Sequence, residues 1–133
     1  MTNWLRNFGL TGLFMAAVGV AATPSPAKLQ GVLIDKMCSG KAESRVVPGG
    51  RIEGGMLAAY VHTRQCALMT ECQKSGYGIV AYESNKFLPF DKAGNQKALA
   101  LLHRTKQQDD LRIEVTGVEE GDSFKVSSIH LLP

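Results

Sequence analysis

Hydrophobic and polar residues alternate most regularly between positions 111 and 118 of the chain. Leu111, Ile113 and Val115 have the same parity, and the residues between them are charged or polar. A strict period of two predicts a β-strand with one buried and one exposed face. We therefore expect the face that carries Leu111, Ile113 and Val115 to lie in the core.

Four further segments have the composition of β-strands, so the chain is predicted to contain five strands. The first, at residues 29–35, has apolar residues of both parities, and we expect both of its faces to be covered. In the third, Pro89 cannot donate a ladder hydrogen bond, which places that strand near a sheet edge. In the last, the apolar parity changes at Ser127 and Ser128, and this change predicts a β-bulge. The remaining segments are residues 77–83, 87–90 and 124–131.

Two segments have helical patterns. One lies between the third and fourth strands, from an N-cap at Asn95 to about Arg104. Its apolar stripe at helical spacing consists of Ala98, Leu101 and Leu102. The other belongs to a long insertion, residues 36–76, between the first two strands. The glycine-rich first part of this insertion costs too much backbone entropy for a regular element, and residues 56–75 predict a helix that ends at Gly76.

The order of these elements indicates the fold class. Strand, insertion, strand, strand, helix, strand, strand is the order of a small five-stranded OB-like barrel. We predict a mainly β fold with a helix between strands 3 and 4 and a cysteine-bearing helical insertion between strands 1 and 2. Residues 29–133 are expected to form this single domain, and residues 23–28 a short, stiff spacer before it.

Residues 1–22 have the three parts of a secretory signal peptide. Arg6 supplies the positive end, residues 8–22 are uncharged and mostly apolar, and small residues precede Thr23. The apolar run is shorter than the roughly 20 residues that a membrane-spanning helix needs. We therefore expect the leader to be removed and the mature protein to be periplasmic or secreted, with no membrane attachment. The alternative is an uncleaved N-terminal anchor.

Composition and charge narrow the function classes. The 133 residues have a formal net charge of +3, and this near balance argues against a nucleic-acid partner, which normally requires a strongly basic face. Hydrophobic residues make up 44% of the chain and charged residues 20%, which favours a folded domain over disorder. No Ser/His/Asp set and no paired carboxylates stand out at local spacing, so we expect no enzymatic activity.

All three cysteines, Cys38, Cys66 and Cys72, lie in the insertion together with His62. In an exported protein a disulfide is the first hypothesis. On one continuous helix, Cys66 and Cys72 would be separated by about 9 Å of rise, beyond the roughly 7 Å between Cα atoms that a bridge tolerates. Cys72 shares the predicted buried face of this helix with Val61, and Cys66 does not. We therefore predict a Cys38–Cys72 bridge that leaves Cys66 as a thiol.

The second hypothesis for the same residues is a soft metal ion. His62 and Cys66 are four residues apart, so both face the same side of the predicted helix, and Met69 follows three residues later. Thiolate, imidazole and thioether ligands suit copper, whereas three cysteines and one histidine suit zinc. Asp35, just before the cysteine segment, could cap or anchor that segment, but we expect it to be a plain strand-end carboxylate. The candidate ligands are Cys38, His62, Cys66 and Cys72.

Short motifs along the chain resemble those of a protein family. They are Asp-x-x-Cys at 35–38, Cys-Ala-Leu-Met at 66–69, Ser-Gly-Tyr-Gly at 75–78 and Val-x-Gly at 115–117. With these motifs the sequence resembles a family of small exported bacterial domains of unknown function, over nearly the whole mature chain. The Cys-Ala-Leu-Met run is the most specific part. The resemblance implies an exported location and a small β-barrel, and it implies no activity.

Two functions of different classes follow from these observations. The first is an exported binding module that holds zinc or copper through its His/Cys insertion. The alternative is a disulfide-stapled module with no metal that binds a protein, a peptide or a glycan. OB barrels often bind ligands at their loops, so the fold class is compatible with both.

Overall fold

The computed structural model describes residues 19, 21–40, 59 and 61–133. The strands are β1 (Ala27–Asp35), β2 (Tyr77–Ala81), β3 (Phe87–Pro89), β4 (Arg112–Glu120) and β5 (Ser123–Leu131). The helices are α1 (Lys36–Gly40), α2 (Arg64–Ala67), α3 (Thr70–Ser75) and α4 (Lys92–Arg104). Within these ranges no helix has the length and apolar character needed to cross a membrane.

The five strands form one antiparallel sheet in the order β3-β2-β1-β4-β5. This confirms the mainly β class, the five predicted strands and the helix between strands 3 and 4. The edge position predicted from Pro89 is also confirmed, because β3 pairs only with β2 in the sheet. Beyond the sheet, Phe90 forms an isolated parallel bridge with Phe124 of β5. The Asp91 N–H donates to the Phe124 carbonyl oxygen at 3.1 Å, so the two outer strands also contact each other.

From Gly31 to Asp35 both faces of β1 are buried, as the sequence predicts, whereas Lys28 and Gln30 near the start of the strand are exposed. On one face, Leu33 packs in the main core together with Leu111, Ile113 and Val115, the three alternating residues whose burial is thereby confirmed. On the other face lies a smaller apolar cluster. That cluster consists of Val32, Ile34, Ala59 and Val80, with Cys38, Tyr82 and Phe87 partly buried against it.

Helix α4 begins earlier than its sequence pattern suggests. Its N-cap is Asp91, whose side chain accepts a hydrogen bond from the Gly94 N–H at 2.9 Å. The prediction that Asn95 is the N-cap is therefore wrong. Asn95 Oδ1 instead accepts the Tyr77 N–H at 2.7 Å, which ties the first turn of α4 to the start of β2. A Cβ on Gly76, which has φ 85, would lie 3.3 Å from the same Asn95 side chain.

The predicted bulge in the last strand is confirmed. Thr116 pairs with Ser128, but the next residue, Gly117, pairs with Val126, so Ser127 is the extra residue. The bulge restores the apolar face of β5 to the core, because it changes the parity of the strand. Gly117 allows this close approach, since a Cβ there would lie 2.0 Å from the Lys125 carbonyl oxygen.

The continuous helix predicted over residues 56–75 is wrong for the part of it that the structure describes. His62 and Thr63 are not helical, and α2 and α3 are separated at Met69, whose backbone is extended (φ −64, ψ 143). Thr63 acts as an N-cap and accepts a hydrogen bond from the Cys66 N–H at 3.1 Å. A side chain that accepts a backbone hydrogen bond in this way marks the start of a helix, so α2 does not extend back through His62.

Several predictions concern residues outside the described part of the chain. The leader at 1–22 is described only at residues 19, 21 and 22, and the glycine-rich segment at 40–55 only at residue 40. Residues 23–26 are exposed and irregular, and β1 starts at Ala27, two residues before the predicted start of the first strand.

Candidate functional site

A buried carboxylate–imidazole pair lies at the end of β1. Asp35 is fully buried, His62 is 6% exposed, and His62 Nε2 lies 2.6 Å from Asp35 Oδ2. Asp35 reaches this position because β1 pairs with β2 up to its last residue, where Asp35 lies opposite Tyr77. The expectation that Asp35 is a plain strand-end carboxylate is wrong, because a carboxylate enters a protein interior only with a partner.

Asp35 also positions the first cysteine. Its Oδ1 atom accepts the Cys38 N–H at 2.9 Å, in the first turn of α1. A carboxylate that bonds the backbone N–H three residues ahead caps the start of a helix and fixes its direction. One side chain therefore holds both the His62 ring and the segment that carries Cys38.

Helix α2 positions His62 and Cys66. The Arg64 N–H donates to the Gln108 carbonyl oxygen at 2.7 Å, and Arg64 Nε donates to the Leu102 carbonyl oxygen at 2.6 Å. These two bonds attach the start of α2 to the end of α4 and the loop after it. Their effect is to hold His62, two residues before Arg64, against Asp35.

The third cysteine lies on α3, which is hydrogen-bonded to α1. The Met37 N–H donates to Ser75 Oγ at 3.2 Å, and the Lys36 N–H donates to the Gly76 carbonyl oxygen at 2.8 Å. Cys72 is 4% exposed, which confirms its predicted burial, and Cys66 is half-buried as expected. Val61, predicted on the same buried face, is instead 67% exposed.

The structure places the four predicted site residues in two groups that share Cys38, and it adds Asp35 to one of them. One ring nitrogen of His62 and the Sγ atoms of Cys38 and Cys66 lie within 4.8 Å of one another. A carboxylate oxygen of Asp35 and the Sγ atoms of Cys38 and Cys72 form a second group with the same spacing. Cys38 belongs to both groups, so its sulfur lies at the centre of the cluster.

One ring nitrogen of His62 has no hydrogen-bond partner among the residues that the structure describes. Apart from their mutual contact, Asp35 Oδ2 and His62 Nε2 have no hydrogen-bond partner among the described residues, and His62 Nδ1 has none at all there. An unpaired polar atom inside a protein costs free energy comparable to a lost hydrogen bond. A buried polar atom of this kind calls for a partner outside the described side chains, and an imidazole nitrogen is chemically able to bind a metal ion.

The electrostatics of the cluster centre on the negative charge of Asp35. Burial opposes ionisation of this carboxyl, but the hydrogen bonds from His62 and from the Cys38 N–H outweigh it and lower the pKa of Asp35. Burial raises the pKa of Cys38 to about 12, and the charges of Asp35 and Cys66 add to this effect. Burial and the Asp35 charge also raise the pKa of Cys72. Burial and the Asp35 charge thus keep the thiols of Cys38 and Cys72 protonated unless a cation is nearby.

The predicted disulfide concerns the same atoms. All three cysteines are free in the structure, and the Cys38–Cys72 pairing stays a prediction. The distance argument against a Cys66–Cys72 bridge loses its basis, because α2 and α3 are separate helices. Met69, predicted as a further soft ligand beside Cys66, is 58% exposed.

Asp35 is the site residue that sequence reasoning undervalued. The only local signal was a carboxylate at the end of a strand with apolar residues of both parities, three residues before a cysteine.

Comparison of the chain with protein families, with curated proteins and with solved structures gives no match.

Proposed function

We propose that this protein is an exported binding module that holds a soft metal ion through Cys38, His62, Cys66 and Cys72. The observation that carries the proposal is the buried His62 ring. Its Nε2 atom is engaged by Asp35, its Nδ1 atom has no described partner, and two thiol sulfurs lie within 4.8 Å of a ring nitrogen. A ligating histidine whose other nitrogen contacts a carboxylate is the usual arrangement in metal proteins.

The chemistry of the donors selects the ion class. Three thiolates and one imidazole form a closed tetrahedral set for zinc, with Zn–S bonds of about 2.3 Å. The same soft donors, with fewer coordinated at once, suit Cu(I). A cation also offsets the buried charge of Asp35, and it lowers the pKa of the Cys38 and Cys72 thiols that this charge helps to raise. Binding therefore releases protons and stabilises the folded state.

We also propose that the sheet is an OB-like barrel. Support comes from the strand order β3-β2-β1-β4-β5 together with the parallel bridge between Phe90 and Phe124. This bridge lies between the two outer strands, where an OB barrel closes. On this proposal the cysteine-bearing segment is the connection between the first two strands.

Metal analysis of the purified protein tests the metal site. Protein isolated from the periplasm, or reduced and reloaded with zinc or Cu(I), should contain one ion per chain. His62→Ala and Cys66→Ser should each lose it. His103→Ala is the matched control, because His103 is exposed on α4 and should leave the metal content unchanged. Reloaded wild-type protein without stoichiometric metal would refute the proposal.

The exported location has its own test. Intact-mass measurement of the exported protein should show a chain that begins at Thr23. A mature chain that retains residues 1–22 would instead support the uncleaved anchor.

The alternative function, a module that binds a peptide or glycan, is favoured by one observation. A cavity of about 440 Å³ lies between the β2–β3 turn and the β4–β5 hairpin. Phe87 supplies an aromatic side chain to its lining, and charged groups surround it. The charged lining residues are Glu83, Lys86, Glu119 and Asp122. A screen of peptides and glycans with wild-type protein and Phe87→Ala tests this alternative, which requires a ligand that the variant loses.

A further inference from the structure

The sulfur of Cys38 belongs to both groups of potential ligands, and a single sulfur cannot serve an ion and a disulfide at once. We propose that the site is a thiol switch, in which oxidation of Cys38 and Cys72 to a disulfide releases the ion. This inference rests on the proposed metal site. It assigns to one cluster both the bridge and the ion that the sequence presents as alternatives.

The positions of α1 and α3 favour Cys72 as the partner of Cys38. Their Sγ atoms lie within 4.8 Å of each other, and a disulfide needs about 2.05 Å. The helices are joined next to the cysteines by the bonds from Met37 to Ser75 and from Lys36 to Gly76. Because these bonds hold the backbones together, rotation of the two side chains is the movement that the bridge requires.

Cys66 is held differently, although its sulfur also lies near that of Cys38. The Arg64 N–H and Nε at the start of α2 donate to the carbonyl oxygens of Gln108 and Leu102, on the side of α4 rather than α1. Cys66 therefore stays beside His62 when Cys38 turns toward Cys72. After oxidation only Cys66 and His62 remain as ligands, and two soft donors do not close a tetrahedral site.

Burial determines where oxidation starts. Cys38 is half-buried, whereas Cys72 is 4% exposed. A small oxidant such as hydrogen peroxide therefore reaches Cys38 before Cys72. Of the two sulfurs of the proposed bridge, the one at the centre of the cluster is thus oxidised first, next to the buried thiol that completes the bridge.

Hydrogen peroxide oxidises the two thiols to a disulfide in two steps. The Cys38 thiolate attacks one peroxide oxygen, the O–O bond breaks, and a sulfenic acid and hydroxide form. The Cys72 thiolate then attacks the Cys38 sulfur, the S–O bond breaks, and the S–S bond forms with loss of a second hydroxide. The two sulfurs lose two electrons, the two peroxide oxygens gain them, and both hydroxides take protons from solvent to become water. The metal–sulfur bonds of both cysteines are lost, so the ion leaves.

The test uses the exported protein after its zinc content has been measured. One equivalent of hydrogen peroxide is added to the zinc-loaded protein, free zinc is followed with a chromogenic chelator, and disulfides are mapped by mass spectrometry without reduction. We expect one zinc released per chain, together with a peptide pair linked through Cys38 and Cys72. Dithiothreitol followed by zinc should restore the loaded form.

Variants separate the bridge from the ion. Metal-free Cys66→Ser should still form the Cys38–Cys72 bridge with peroxide, because both sulfurs are present. Cys72→Ser keeps the group of Cys38, His62 and Cys66 intact, which His62→Ala and Cys66→Ser do not. This variant should therefore still bind zinc and release it at least tenfold more slowly than the wild type.

The results distinguish failure of the proposed switch from failure of the proposed metal site. Stoichiometric zinc that peroxide does not release, or zinc release with a mapped Cys38–Cys66 bridge, would overturn the switch and leave the metal site standing. Protein that forms the Cys38–Cys72 bridge but never binds zinc or Cu(I) would overturn the switch and the proposed function together. The metal content measured before oxidation distinguishes the two failures.

Discussion

The Tyr77 hydroxyl donates a hydrogen bond of 2.7 Å to the Ala67 carbonyl oxygen, and this buried bond joins β2 to the end of the helix that carries Cys66. Tyr77 is 2% exposed, and its neighbour across the sheet is Asp35. The strand that pairs with the carboxylate therefore also supports the segment that carries one of the thiols.

Removal of that hydroxyl should destabilise the fold. Tyr77→Phe leaves the Ala67 carbonyl oxygen without its donor, and an unsatisfied buried acceptor costs about 1–3 kcal/mol. Urea unfolding of the metal-free protein measures the change. An unchanged free energy of unfolding in Tyr77→Phe would contradict a stabilising role for the Tyr77 hydroxyl.

Stability should also fall at alkaline pH because of the same side chain. Burial raises the pKa of Tyr77 from 10.0 to about 12, with further contributions from Asp35 and Cys72. A raised pKa in the folded state means that the contribution is complete below pH 10 and is lost as the pH rises from 10 toward 12. Unfolding free energies at pH 9, 10 and 11 should therefore decline more steeply for the wild type than for Tyr77→Phe. Parallel curves would contradict this assignment.

Loss of the Asp35 carboxylate should be more damaging than loss of a surface carboxylate. Asp35→Ala removes the partner of His62 and the cap of the Cys38 N–H, and breaking a buried pair costs about 3–5 kcal/mol. Asp35→Asn should cost less, because an amide oxygen can still accept the Cys38 N–H. Thermal melts of both variants, with Asp109→Ala at an exposed position as the control, measure the difference. An unchanged melting temperature for Asp35→Ala would show that the pair contributes nothing.

The alternating strand allows a matched test of the core. Ile113 is fully buried, whereas its neighbour Arg112 is exposed on the other face of β4. Ile113→Asp should destabilise by more than about 3 kcal/mol, because it buries an unpaired charge. Arg112→Asp should change stability far less. Equal melting temperatures for the two variants would mean that the strand has the opposite phase.

Strand positions could be predicted because their cause is local. A period of two at Ile113 and its neighbours, and the change of parity at Ser127, are visible without any knowledge of distant contacts. The start of α4 was harder to predict from the sequence, since both Asp91 and Asn95 are good N-cap residues. The Tyr77 N–H, which Asn95 accepts, decides between them, and that contact forms only in the folded chain.

The site was predictable in its residues but not in its arrangement. Cysteine and histidine were recognisable as donors by type alone, whereas the burial of Asp35 depends on His62, which lies far along the chain. The uninterrupted helix expected around Cys66 fails because Thr63 bonds the backbone ahead of it. Side-chain capping competes with helix continuation, and the periodicity of the sequence does not reveal that competition.

The bonds from Arg64 to Leu102 and Gln108 have a consequence for biosynthesis. The proposed ligands all precede residue 73, yet the helix that carries one of them is anchored to carbonyl groups near the end of α4 and beyond it. A nascent chain that has emerged only as far as β2 lacks these anchors, and so does a peptide excised around the cysteines. If the proposed metal site exists, an ion that reaches the chain at that stage meets ligands without their supports, and stable loading would follow the completion of α4 and its loop.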